Sequence, residues 1–245
     1  MGIFSRKPRK TTQPDASGAL EEVAPFSKLV AADNGGVLSF MLLSPETGEA
    51  IPFPAIEIVM RRSEELQSVV DTLRSVGAEE ADIPLAEPVI SGVVTLLGLD
   101  EGGHFSDLSA NSLSRMRLTP ELARTGALAR LRQSVTHLQI DGGGGRFRVS
   151  YPDNPDLTAS FMLIADGWLS GDSVAGDPVF AAGNRVSLHV CGSEDTEALA
   201  GLREIAATFY RDSVADPGAH GRPLTPGLLT VRDGVVVEFD GPNQG

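Results

Sequence analysis

The chain of 245 residues has one cysteine, Cys191, so it forms no disulfide within itself. An oxidising destination gains no support from its composition. No apolar run approaches the roughly twenty residues of a membrane-spanning helix. The first stretch, "MGIFSRKPRK", lacks the long apolar core of a secretory leader. A cytoplasmic protein is the expectation. Metal patterns are missing as well. His104, His137, His189 and His220 make no H-E-x-x-H and join no Cys/His cluster. Asp166, Asp172 and Asp177 have neither the alternate spacing nor the closing Glu of a calcium loop. The glycines of "DGGGG" (141–145) sit between two strand-like stretches, and no Gly-Lys-Ser/Thr follows. They read as a turn rather than a phosphate loop. No metal and no cofactor is expected.

What is present is acid. The net charge is −13, and Arg6, Lys7, Arg9 and Lys10 sit together near the N-terminus without an acid among them, so the rest is more acidic still. Such a body repels phosphate backbones, which argues against nucleic-acid binding. "MGIFSR" misses the myristoylation pattern because Ser5 stands one place early. Ile3 and Phe4, with Arg6, Lys7, Arg9 and Lys10, could touch an anionic membrane. A solvated polar tail over 1–24 is the expectation.

Patterning predicts an α+β protein. Two mixed α/β lobes are expected, with mostly antiparallel sheets, each packed by a long amphipathic helix. The N-terminal lobe covers 25–100, a loose joint 101–117 and the C-terminal lobe 118–240, with a short tail at 241–245. In the first lobe "GGVLSFMLL", "AIPFPAIEIVMR" and "PVISGVVTLLGL" read as extended chain. "RSEELQSVVDTLRSVG" (62–77) reads as a helix capped by Ser63, with Leu66, Val69, Val70, Leu73 and Val76 on one stripe. In the second lobe Thr119-Pro120 opens a helix that Gly126 threatens to loosen. "RFRVSY", "TASFMLI", "DPVFAA" and "NRVSLHV" read as strands. A long helix follows, capped by Ser193 or Asp195, and a hairpin on Asp233-Gly234 closes the chain.

Two catalytic pairings deserve weighing. "GDSV" is similar to the nucleophile block of the GDS-type lipases and esterases, and "GNR" and "DPGAH" loosely match their later blocks, giving Ser173 with His220. The details depart: an extra residue splits the Asp–His spacing, and only 47 positions separate Ser173 from His220. The second pairing is Cys191 with His189, two apart on a strand and so on one face, just before a helix start that favours a thiolate. The acids Glu194 and Asp195 oppose that activation. A packed core cysteine is the expectation.

"LTPELARTGALARLRQSV", "LTASFMLIADGW", "GDPVFAAGNRVSLHVCGSED" and "PLTPGLLTVRDG" follow one another in order. Over about 118–239 this half resembles the YtpQ-like family of uncharacterised bacterial proteins. Where that family has an Arg-Asp pair this chain has Arg185-Val186, and Gly183 replaces a usual proline. The resemblance implies one mixed α/β module in a bacterial cytoplasm and no activity. The functional expectation is a non-catalytic module that binds a protein partner. The alternative is a small hydrolase using Ser173/His220 or Cys191/His189.

Overall fold

A computed structural model describes residues 24–33, 38–102 and 105–241. The basic tail with its membrane-contact residues, the last four positions and His104 lie outside the described residues. Among the described residues three antiparallel sheets, five α-helices and three 3₁₀ segments build an α+β fold. Strands β1 (Lys28–Asp33), β2 (Leu38–Leu43) and β3 (Ala50–Pro52) form a meander in that order. Strand β4 (Ile56–Arg62) leads straight into helix α1 (Ser63–Ser75). Strands β5 (Ala86–Ile90), β6 (Val93–Asp100) and β7 (Phe105–Asp107) complete a second sheet, with β6 between β4 and β5 and with β7 also paired to β6. Helices α2 (Ala110–Arg115) and α3 (Pro120–Gln133) follow. The third sheet has six strands in the order β13-β12-β10-β11-β9-β8. They are β8 (Gln139–Gly143), β9 (Arg146–Ser150), β10 (Pro178–Ala181), β11 (Leu188–Gly192), β12 (Leu228–Arg232) and β13 (Val235–Glu238). Helix α4 (Thr196–Ala215) covers one face, and the short α5 (Pro217–His220) ends it.

The two hairpins form where turn chemistry demands them. Gly144 and Gly145 have φ of 61° and 78°, and Asp233 and Gly234 have 51° and 75°. Two consecutive positive φ values match the right-handed strand twist in a two-residue loop. Thr119 accepts the Leu122 amide and Asp195 accepts the Ala198 amide, so both caps are side-chain oxygens on orphan helix donors.

Four expectations need correction. "TASFMLI" is not a strand: Pro155–Gly167 is 3₁₀ helix, broken at Ile164. A short unbroken apolar run suits a buried strand and a buried helical turn equally, and only its surroundings decide. Here it wedges between the sheets, touching β4, α3, β9, β12 and β13, with Phe161, Met162 and Ile164 fully buried. Its amide ties are met: Ala159 donates to the Arg185 carbonyl at 3.0 Å, and Trp168 Nε1 donates to the Phe161 carbonyl at 2.9 Å. Second, 101–117 is not loose. Ser109 caps α2 and Leu108, Leu113 and Leu118 are buried.

Third, the helix that packs the N-terminal sheet is α3, not α1. Helix α3 lies across β4 and also meets β1, β2 and β6. Gly126 makes this possible instead of loosening it. A Cβ there would fall 2.1 Å from the Phe53 ring, so the missing side chain is the slot into which Phe53 packs. Fourth, Ser63 does not cap α1. Arg62 holds the cap position without a side-chain bond, because β4 pairs with β6 through Arg62. One hydrophobic core runs from Phe26 to Val236 across both halves, and a smaller one lies under α4. The two lobes therefore share their interior. Among the described residues no helix is long and apolar enough to cross a membrane.

Candidate functional site

Each chemically loaded side chain owes its place to a different element. Strand β9 carries Arg148, which pairs across to His189 on β11. The turn between β10 and β11 carries Asn184 and Arg185. The chain leaving α5 carries Arg222 and returns along that turn. The Arg185 amide donates to the Arg222 carbonyl at 3.0 Å, and the Leu224 amide donates to the Gly183 carbonyl at 2.9 Å. Asn184 Nδ2 donates to the His220 carbonyl at 2.8 Å and lies 3.2 Å from the buried Ser213 hydroxyl. Two segments far apart in sequence are thereby fixed side by side.

These segments wall a cleft of about 570 Å³ that holds Arg148, Arg185, Arg222, His220 and one carboxylate, Asp156. A second cleft of about 420 Å³ shares Asp156, Arg185 and Arg222 and adds Arg61, Phe105, Val59, Asp100 and Asp153. A third, of about 640 Å³, continues past Asp153 to Glu57, Arg130, His137 and Tyr151. Together they trace a groove where the 3₁₀ segment meets the sheets.

The charges in the groove differ in how far they are committed. Arg61 holds Asp107 with two contacts of 2.9 Å and lies over the Phe105 ring at 5.9 Å. Glu57 faces Arg130 at 3.5 Å, and burial raises its carboxyl above the usual range while Arg130 opposes that shift. His137 Nδ1 lies 2.6 Å from Asp153. Burial also raises the Tyr151 phenol. Arg185 is more deeply buried than Arg61 and Arg130, which share with it an Nε that has no partner. Its side chain is 7% exposed, Nη2 reaches Asp156 at 3.3 Å, and Nε has no partner. Burial lowers its pKa from arginine's ordinary value, Asp156 opposes the shift, and Arg61 adds to it.

The sequence candidates are placed apart. Cys191 is fully buried under α4, among Val179, Ala198, Leu199 and Leu202. Burial first, then Asp195, pushes its thiol up to about 11 against the pull of Arg146 and Arg203. Asp195, not the thiol, occupies the α4 N-terminus. His189 is buried, stacks on Phe209 at 5.4 Å and leaves Nε2 unpaired. Burial, with Arg148 and Arg146 beside it, holds its pKa down at about 4. The fit of this pair is that of packed side chains. Ser173 bonds Ser170 in a loop whose continuation, Ala175 and Gly176, lies against Gly192 and Glu194 at the start of α4. His220 stands at the other end of that helix, beside Ser213. The 20 residues of α4 put about 30 Å of helix between those two ends at 1.5 Å per residue. The "GNR" and "DPGAH" stretches do meet, through Asn184 and His220, but Ser173 is not with them.

No protein-family model, no curated protein and no solved structure matches this chain. The groove is therefore judged by its chemistry alone. Sequence reading missed it because Arg61, Arg148, Arg185 and Arg222 share no local spacing. The close approach of Gly183 to α4 was visible only as a departure. A Cβ there would lie 2.6 Å from the Ala206 carbonyl, which leaves room for hydrogen alone. Among the described residues no group of three or more His, Cys, Asp or Glu is placed to hold a metal ion.

The thiol has a direct test. Raising its pKa from 9.0 to about 11 cuts the thiolate fraction at pH 8 about 100-fold before burial is counted. Iodoacetamide at pH 8 is expected to label Cys191 in denaturant and to leave the folded protein unlabelled over the same period. Equal rates in the two states would show an exposed, reactive thiol and reopen the Cys191/His189 pairing.

Proposed function

We propose that the protein is a non-catalytic bacterial module, working in the cytoplasm, that docks a protein partner on α1. One observation carries this reading. The apolar stripe of α1 is only half used by the fold. Val70 is buried and Leu66 packs on the main core, yet Val69 is 36% and Val76 is 76% exposed. The open part of the stripe, Val69, Leu73 and Val76, offers anchors at i, i+4 and i+7 to an apolar groove on another protein. Glu65, four residues before Val69, borders the stripe, so the matching partner has a hydrophobic groove with a basic residue at its edge. A cytoplasmic setting agrees with a single, unpaired thiol. The resemblance to the YtpQ-like family supplies a module and no activity, and agrees with the same reading. The hydrolase alternative draws no support from Ser173, His220, Cys191 or His189 as they are placed.

A photo-crosslinking amino acid at Val76 is expected to trap one discrete partner in cells. The same probe at Asp71, on the opposite, polar face with Glu64 and Gln67, is expected to trap none. Val69→Ser with Val76→Ser is expected to abolish the crosslink while shifting folding stability by no more than about 0.5 kcal/mol, as for exposed sites generally. Equal crosslinking at Asp71 and Val76 would rule out the stripe as the docking face. A crosslink to a second copy of this chain would replace the partner with self-association.

A further inference from the structure

We propose that the arginine groove binds the phosphoryl group of a small phosphorylated organic molecule. The proposal is independent of α1 and stands on Arg185. A guanidinium buried to 7% exposure carries a large desolvation cost unless its donors are met. Arg185 offers five N–H donors. The described residues give them one long contact, 3.3 Å to Asp156, itself 54% exposed; Nε has no partner, as in Arg61 and Arg130, but Arg61 has two contacts of 2.9 Å to its carboxylate where Arg185 has the one. The set of counter-groups is incomplete, and what it lacks is an anion.

The neighbours point to the same class of ligand. Arg148 and Arg222 line the cleft with Arg185, and neither guanidinium has a hydrogen bond or ion pair among the described residues. Asp156 is the single carboxylate in that cleft. Beyond Lys28 every basic side chain other than histidine is an arginine, and the planar fork suits oxyanions better than an ammonium does. The bonds between the 183–185 and 220–224 segments hold Arg185 and Arg222 in place before any ligand arrives. A phosphoryl group presents three outer oxygens and nearly two charges, which suits a cleft lined by three guanidinium groups. A carboxylate has only two coplanar oxygens. Phe105, Val59, Pro155 and Leu157 in the adjoining cleft offer a surface for an organic body. The acidity of the chain, net −13, disfavours a polyanion such as nucleic acid.

Isothermal titration of the full chain with phenyl phosphate, inorganic phosphate and benzoate tests this. Phenyl phosphate is expected to bind saturably and more tightly than either control. Arg222 is exposed and unpaired, so Arg222→Ala should fold and should weaken phenyl phosphate about ten-fold, the loss of one charge-assisted hydrogen bond. Arg185→Lys keeps the charge, loses the fork and should weaken it at least as much. Arg232→Ala, on β12 away from the groove, should change nothing. Absence of saturable binding overturns the proposal. So does equal weakening by Arg222→Ala and Arg232→Ala. Inorganic phosphate binding as tightly as phenyl phosphate overturns the organic body, and benzoate binding as tightly overturns the phosphoryl group.

Discussion

Phe161→Ala is expected to destabilise the whole protein by about 3–5 kcal/mol, the usual cost of emptying a buried phenyl site. Phe161 is fully buried in the 3₁₀ segment that separates the sheets and meets the Tyr151 ring edge-on at 5.1 Å. Its carbonyl holds the indole of Trp168, the chain's only tryptophan. The segment touches β4 of one sheet and β9, β12 and β13 of another, so the cavity opens where both halves need filling. Urea unfolding followed by Trp168 fluorescence and by far-UV circular dichroism should therefore give one coincident transition, shifted equally in both signals. Two transitions, of which only one moves, would mean that the N-terminal sheet and the six-stranded sheet unfold independently. The shared core would then be a contact between two domains and not a single interior.

The second large effect is a loss of stability in acid that traces to His189. Its folded pKa of about 4 lies below the ordinary histidine value of 6.5. Between those two values the unfolded chain binds more protons than the folded one, so stability rises with pH across that window. Read downwards, the contribution is intact above pH 6.5 and is lost as pH falls through about 4. By pH 4 the loss amounts to about 3 kcal/mol, because each pH unit inside that window carries about 1.36 kcal/mol. Glu57 acts with the opposite sign, because its raised pKa favours the folded state in acid. The comparison that isolates His189 is the wild-type chain against His189→Gln, measured by urea unfolding at pH 7 and pH 4. The variant should lose about 3 kcal/mol less than the wild type between these two values. Parallel loss in both proteins would show that His189 is solvated and titrates normally. The structural source is plain: the buried ring stacks on Phe209 with Arg148 and Arg146 beside it, so burial and two neighbouring cations oppose a proton there.

Features governed by neighbours in the chain were legible in the residues. Asp233-Gly234 and the Gly144-Gly145 turn gave their hairpins, because two positive φ values in a row are a local requirement that these residues meet cheaply. Thr119-Pro120 marked its helix start for the same reason, and of the two caps open for α4, Ser193 and Asp195, the structure uses Asp195. The burial of Cys191 was legible too, from its place in an apolar strand. The element at 155–167 was not, since an unbroken apolar run has no period to separate strand from helix. The sharpest amphipathic pattern, on α1, named a stripe without saying what would cover it. Phe53 and Gly126 gave that role on the N-terminal sheet to α3.

By itself, then, the sequence determined the α+β class, the antiparallel hairpins, the Thr119 cap and the absence of an internal disulfide. Each rests on a residue's own conformational preference or on composition. Tertiary structure alone decided which helix covers which sheet, that both halves share one core, and that Arg61, Arg148, Arg185 and Arg222 face one groove. Those outcomes come from elements competing for the same apolar surface, across separations of tens to more than a hundred residues. No spacing in the chain records which of them wins.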